Sequence, residues 1–131
     1  MSPEQANGSD QLDARSDIYS LGAVMYFALT GRNPFNYNNP IKVLVAHASE
    51  PAAPLRDHNP DVSEELEEVV LRCLEKEPDH RFQDATELRQ TLDHLALDEP
   101  WSGDQAEGWW NCHGCPERKK LAAEAVEAAA V

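Results

Sequence analysis

The chain has 131 residues, 41% hydrophobic and 27% charged, and its 11 basic against 24 acidic side chains give a formal net charge of −13. That composition is globular rather than disordered, and its acidity excludes phosphate-led binding to nucleic acid and attraction to acidic membrane surfaces. The longest apolar stretch, residues 21–29, is far shorter than the ~20 residues that span a bilayer, and three cysteines without a signal-peptide pattern point to a reducing, cytoplasmic setting.

Residues 1–14 read as a loop, since Pro3, Asn7 and Gly8 interrupt any period. A helix is predicted over 15–30, with Ser16 or Asp17 as its cap and Gly31 as its stop. Ile18, Leu21, Val24, Met25 and Leu29 fall on one face, while Tyr19, Ala23, Tyr26 and Phe27 make the other faces apolar too. A helix apolar all round is expected to be buried on every side. Residues 32–39 are rich in turn formers, and Pro40 can start a short helix through Ser49. The stretch 50–61 carries Pro51, Pro54 and Pro60 and reads as an extended connector.

Ser63 is placed to cap a helix over 64–76, in which Leu66, Val69, Val70, Cys73 and Leu74 follow helical spacing up to the stop at Pro78. Residues 84–87, Asp-Ala-Thr-Glu, have the form of a capping box with Asp in the first place. They open a helix with Leu88, Leu92 and Leu95 on one stripe. The expected fold is mainly α, with about four core helices, no large sheet and no internal repeat.

The character changes near residue 98, so residues 1–97 read as one domain and 98–131 as a partly helical, flexible tail rich in Trp and Cys. A short helix is predicted over 104–111, carrying Trp109 and Trp110, and the Ala- and Glu-rich end is helix-prone. Cys112, His113 and Cys115 offer two thiols and an imidazole at close spacing. One Cys-x-x-Cys is half a zinc site, so zinc, a redox pair and an incidental reduced tail all stay open. A haem site is excluded, because the order Cys-x-x-Cys-His is absent.

Three segments in order then converge: Ser2-Pro3-Glu4, Asp17-Ile18-Tyr19-Ser20-Leu21-Gly22, and Arg81 after the 64–76 helix. Over about residues 1–97 this arrangement resembles the C-terminal lobe of bacterial, eukaryotic-like serine/threonine protein kinases. Ser2-Pro3-Glu4 stands where the family has Ala-Pro-Glu at the end of its activation segment. Residues 17–22 match the family's Asp-x-Trp-Ser-x-Gly, with Tyr19 in place of Trp. The resemblance implies that Met1, Ser2 and Pro3 form the edge of the substrate-binding loop. It implies that Glu4 and Arg81 make a buried ion pair. It further implies that Asp17 anchors the catalytic loop through backbone hydrogen bonds, with Gly22 a structural position on the same helix. Residues 40–49 would be a docking helix for substrate or regulator; plain core packing of Ile41, Leu44 and Val45 is the other reading.

The family's catalytic parts are a Gly-rich loop, a strand lysine, His-Arg-Asp and Asp-Phe-Gly. These 131 residues contain no Gly-x-Gly and no Asp-Phe-Gly, and His80-Arg81-Phe82 shares only the first two letters of the catalytic loop. No residue of the chain is therefore assigned to catalysis, and none to the ATP and magnesium of the intact family. The family commonly has Tyr-Met-Ser-Pro-Glu at this point, so Met1 is expected to coincide with an internal methionine of a longer kinase. Two functions follow: a fragment of a serine/threonine kinase, inactive alone, or a non-catalytic helical module that docks a partner or a complementary kinase half. Expected partners are a protein substrate or regulator, the missing half, or further copies of the chain through exposed apolar surface.

Overall fold

The computed structural model describes residues 1–96 and 101–114. Six α-helices follow one another: α1 (Pro3–Ala6), α2 (Ala14–Thr30), α3 (Pro40–Ser49), α4 (Glu64–Cys73), α5 (Ala85–Asp93) and α6 (Gly103–His113). Short 3-10 turns at Leu55–Asp57 and Pro78–His80 join the later ones, and no strand occurs among the described residues. The fold is mainly α, as the patterns predict. The chain divides into two units, Met1–Leu95 and Ala96–Val131.

The expected N-terminal loop is corrected in part. Ser2 and Gln5 form a capping box around a single turn, with the Ser2 N–H donating to Gln5 Oε1 at 2.8 Å and the Gln5 N–H to Ser2 Oγ at 3.4 Å. Pro3 stands at the first helical position, where its missing N–H costs nothing.

Neither Ser16 nor Asp17 caps α2. The cap is Asp13, whose Oδ1 accepts from the Arg15 N–H at 2.9 Å. Arg15 extends the helix backward by bridging Asp13 at 2.7 Å and Asp79 at 2.6 Å. Gly31 ends the helix with φ of 69°, and its N–H returns to the Phe27 carbonyl at 2.8 Å.

The face assignment of α2 also changes. Ile18, Tyr19, Gly22 and Tyr26 are its buried side. They pack in two groups, one with Leu55, Val62, Val70 and Leu74, the other with Val69, Cys73, Phe82 and Leu88. Leu21, Val24 and Phe27 are instead open, with 44%, 62% and 53% of their surface accessible. An apolar helix is buried on all sides only where something covers each side, and within this unit the cover comes from α4 and the Leu55 turn on one side.

Helix α4 stops at Cys73 rather than running to residue 76. The reason is chemical: the carbonyls of Glu75 and Lys76 turn toward the Arg81 guanidinium, which donates to them at 2.7 and 2.9 Å. In α5 the Asp84 side chain accepts from the Glu87 N–H, while the Glu87 carboxylate reaches the Gln83 N–H instead of that of Asp84. The capping box therefore closes one residue early. Leu88, Leu92 and Leu95 form the expected stripe against the core.

In the second unit, α6 is capped by Ser102 with Gln105 and is longer than predicted by one residue at its start and two at its end. Trp109 meets Trp110 edge-on and stacks on His113, each at 5.1 Å between ring centres. The helix-prone segment 116–131 lies outside the described residues.

Candidate functional site

The site grows from one buried cation. Arg81 has no exposed surface, yet its guanidinium is fully paired. Nη1 and Nη2 each donate to one oxygen of Glu4 at 2.9 Å, giving a bidentate fork. The other donors reach the carbonyls of Arg15 at 2.9 Å, Glu75 at 2.7 Å and Lys76 at 2.9 Å. A guanidinium has five N–H bonds, and these contacts occupy all of them. Ser16 adds a 2.6 Å hydrogen bond from its hydroxyl to Glu4 Oε1. The hydrogen bonds from Arg81, with that of Ser16, outweigh desolvation and hold the Glu4 carboxyl at about 2, far below its ordinary 4.5.

This knot ties α1, the head of α2 and the segment after α4 to one point. It also fixes Ser2 and Pro3, expected from the resemblance to edge a substrate loop, by their position next to Glu4. Ser2 and Pro3 are buried, whereas Met1 is 61% exposed. Met1 lines an open hollow of ≈470 Å³ between α2 and α3, with Val24, Phe27, Pro34, Phe35 and Val43. It also lines a neighbouring one of ≈390 Å³ with Tyr37, Pro40 and Leu44. Helix α1 packs against α3, so the segment expected to edge a substrate loop and the predicted docking helix are adjacent. On α3, Ile41 and Val45 are exposed and Leu44 is borderline, while Ala46 is buried. Ile41, Leu44 and Val45 therefore face outward, which goes against the alternative reading of them as plain core packing.

Tyr19 stands between two cations. The Arg81 guanidinium carbon lies 5.0 Å from its ring centre and Lys76 Nζ 5.5 Å. The ring is wholly buried, which raises its hydroxyl well above the usual tyrosine range. The motif's small residue has a direct steric reason. A Cβ on Gly22 would sit 2.6 Å from Cys73 Cβ and 3.3 Å from Leu74 Cγ, so α2 and α4 touch through a missing side chain. Burial pushes the Cys73 thiol up to about 12, leaving it an inert core group.

Asp17 is exposed in the first turn of α2, four residues before Leu21 and seven before Val24, on the open face. Its side-chain carboxylate makes no hydrogen bond to another described residue of this chain. Cys112 and His113 lie in the last turn of α6, and Cys115 lies outside the described residues. No group of three His, Cys, Asp or Glu side chains spaced to hold a metal occurs among the described residues. Ser16, expected only as a helix cap, joins the site as a partner of Glu4, and Lys76 and His47 join it without having been singled out by the sequence. Lys76 follows an ordinary helix end, and His47 is one polar residue on a half-exposed helix, so neither carries a local signal.

Comparison with known proteins places this geometry. The family model for the protein kinase domain matches residues 1–95. The chain belongs to the protein kinase domain family and carries its helical C-lobe portion. Its relatives are bacterial serine/threonine kinases. It is similar to the serine/threonine-protein kinase PknB of Mycolicibacterium smegmatis, 48% identical over 92 residues, which are 70% of this chain and 15% of that protein. It is 44% identical to PknB of Mycobacterium tuberculosis over 100 residues, covering 76% of this chain and 16% of the relative. A probable serine/threonine-protein kinase of Streptomyces coelicolor, SCO3848, is 40% identical over 109 residues, with 82% and 16% covered. The chain thus spans about one sixth of the length of the curated relatives it matches. No helix among the described residues is long and apolar enough to cross a membrane.

Proposed function

We propose that this chain is the C-lobe part of a cytoplasmic signalling kinase that transfers phosphate from ATP to serine or threonine of protein substrates, and that it does not catalyse transfer by itself. The observation that carries the reading is the bidentate Glu4–Arg81 fork at the end of the Ser-Pro-Glu segment. Such a fork has no use on a loop that is free to move; it fixes the segment that borders a substrate site. Met1, Ser2 and Pro3 supply the substrate-loop edge, α3 a platform for a substrate or regulator, and Asp17 the anchor for a catalytic loop. Glu4, Arg81 and Gly22 hold these parts in place. Phosphoryl transfer is chiefly positioning and electrostatic stabilisation by metal, lysine and a catalytic aspartate. The motifs that supply those groups are absent from these 131 residues.

The test combines the purified chain with Mg-ATP and a generic basic protein substrate, beside a polypeptide that carries the missing motifs. The expected result is no transfer and no nucleotide-dependent rise in Tm for the chain alone. Transfer by the chain alone overturns the inactivity. A second reading, a non-catalytic module that docks a partner or a complementary kinase half, is supported by the open face of Leu21, Val24 and Phe27 headed by Asp17. The DNA upstream of the Met1 codon separates the two. His-Arg-Asp and Asp-Phe-Gly motifs there, in any frame, favour the severed kinase; their absence favours the module.

A further inference from the structure

Beside the Arg81 knot, three side chains from three segments meet with no carboxylate among them. Tyr19 Oη of α2 lies 2.9 Å from Nδ1 of His47 on α3. Lys76, just past α4, donates from Nζ to Tyr19 Oη at 3.3 Å and to the carbonyls of Ala46 and His47 at 3.3 and 3.1 Å. No ion pair joins Lys76 or His47 to an acid among the described residues.

The donor count fixes the direction of the protons. An ammonium only donates, so the Tyr19 oxygen accepts from Lys76. The single Tyr19 proton then goes to the nearer acceptor, Nδ1 of His47 at 2.9 Å, rather than to the His47 carbonyl at 3.5 Å. With that bond made, His47 is a neutral ring whose own proton sits on Nε2. A second proton on Nδ1 reverses that bond. Tyr19 must then accept from two cations at once, and its hydroxyl proton is left with only the long contact to the carbonyl.

We propose that His47 is a pH-sensitive latch, whose protonation undoes the relay and frees the C-terminal half of α3 from α2 and Lys76. The charged groups set against the cluster bear on the sign, and from α1 the nearest is Glu4, which acts on Tyr19 and is itself neutralised by the Arg81 fork. From α2 comes only the Tyr19 hydroxyl. From the N-terminal segment comes the Met1 amino group, and from the end of α4 comes Lys76, both of which disfavour a charge on His47. Arg81 lies behind them and acts on Lys76 in the same sense, while Glu50 and Glu75 oppose it more weakly. Phe35 adds no charge and walls the ring edge-on at 4.9 Å. Burial first, then Met1 and Lys76, lower the His47 pKa below its ordinary 6.5.

The sign follows from linkage. The released form takes up the proton at a higher pH than the docked form. The docked form is thus fully favoured above about pH 6.5 and loses ground as pH falls through the lower docked value. Lys76, lowered to about 8, is an ammonium below about pH 6.5, where the His47 step falls. The inference stands on the cluster alone and does not depend on the kinase reading.

Hydrogen exchange of the full chain between about pH 7.5 and 5, corrected for intrinsic rates, tests it. Protection of amides 43–50 is expected to fall several-fold toward acid relative to that of Val70 in α4, and His47→Gln, which keeps an acceptor but cannot titrate, is expected to remove the step. A step absent from the wild-type chain, or retained in His47→Gln, overturns the latch. An NMR titration of the wild-type His47 ring gives an independent check. A proton on Nε2 and a pKa below 6.5 support the latch; a proton on Nδ1, or a pKa at or above 6.5, rejects it.

Discussion

Arg81 and Glu4 lie 77 residues apart in the chain and meet in two parallel hydrogen bonds of 2.9 Å. The acid is on the first turn of the chain and the base follows the α4 helix, so the pair closes nearly the whole first unit into a loop. Because two of the five guanidinium donors go to the carbonyls of Glu75 and Lys76, Arg81 also shapes the turn that ends α4. It is at once the ion-pair partner and the reason those carbonyls need no helix.

Arg81→Met is expected to destabilise the first unit by ~3–5 kcal/mol, the usual range when one partner of a buried pair is removed. Arg81→Lys does not restore it, since an ammonium cannot make the fork and fill three carbonyls together. Urea unfolding at neutral pH measures both. The double variant Glu4→Leu with Arg81→Met is expected to recover part of the loss, because no uncompensated carboxylate remains. A loss under ~1 kcal/mol for Arg81→Met, typical of exposed pairs, means that the fork does not hold the first unit together.

The same pair sets an acid limit. Glu4 is held at about 2 in the folded chain against an ordinary 4.5. A depressed acid contributes stability that is present above the unfolded value and disappears as pH falls through the folded one. Stability of the first unit should therefore decline from about pH 5 down to about 2, and Glu4→Gln should flatten that part of the profile while lowering stability at pH 7. Denaturation midpoints at several pH values show whether the slope changes.

Gly22→Ala tests the close approach of α2 and α4. On an open helix surface this change stabilises, since Gly is the poorer helix former. At this crossing the new methyl meets Cys73 Cβ at 2.6 Å, and a Cβ is backbone-fixed and cannot swing away. The expected outcome is a loss of ~1–3 kcal/mol, as for other overpacked cores, read from urea midpoints. A stabilised variant shows that the helices separate freely at this point.

How much of the fold and site is legible in the sequence depends on how far apart the partners lie. Helical spacing places α3 and α5, and the stripe of Val69, Val70, Cys73 and Leu74 in α4 is buried as predicted. The Glu4–Arg81 pair is legible only through the order of motifs, because no local pattern links residues 77 apart. The start of α2 is ambiguous because three good caps, Asp13, Ser16 and Asp17, stand within five residues. What decides among them is the tether of Arg15 to Asp79, a tertiary contact. Ser16 has the chemistry of a cap and serves instead as a ligand of Glu4. The Tyr19–His47–Lys76 relay is invisible in the sequence for the same reason: its members lie 28 and 57 positions from Tyr19. Periodicity also cannot say which side of an all-apolar helix is covered, and it pairs Leu21 and Val24 with the buried Ile18.

That open side gives the last prediction. Leu21, Val24 and Phe27 present large apolar surfaces along α2, and the hollow beside Val24 and Phe27 continues to Met1 and Val43. Contiguous apolar patches of this kind drive association unless something covers them. The chain alone should therefore self-associate as its concentration rises and bind a hydrophobic dye. Its net charge of −13 opposes association, so added salt, which screens that repulsion, should promote it. Val24→Glu with Phe27→Glu should yield a monomer at the same concentration, with the α2–α4 core intact because neither side chain is buried. Sedimentation velocity across a dilution series decides the matter. A wild-type chain that stays monomeric at high concentration and high salt shows that this face is tolerated in water and needs no cover.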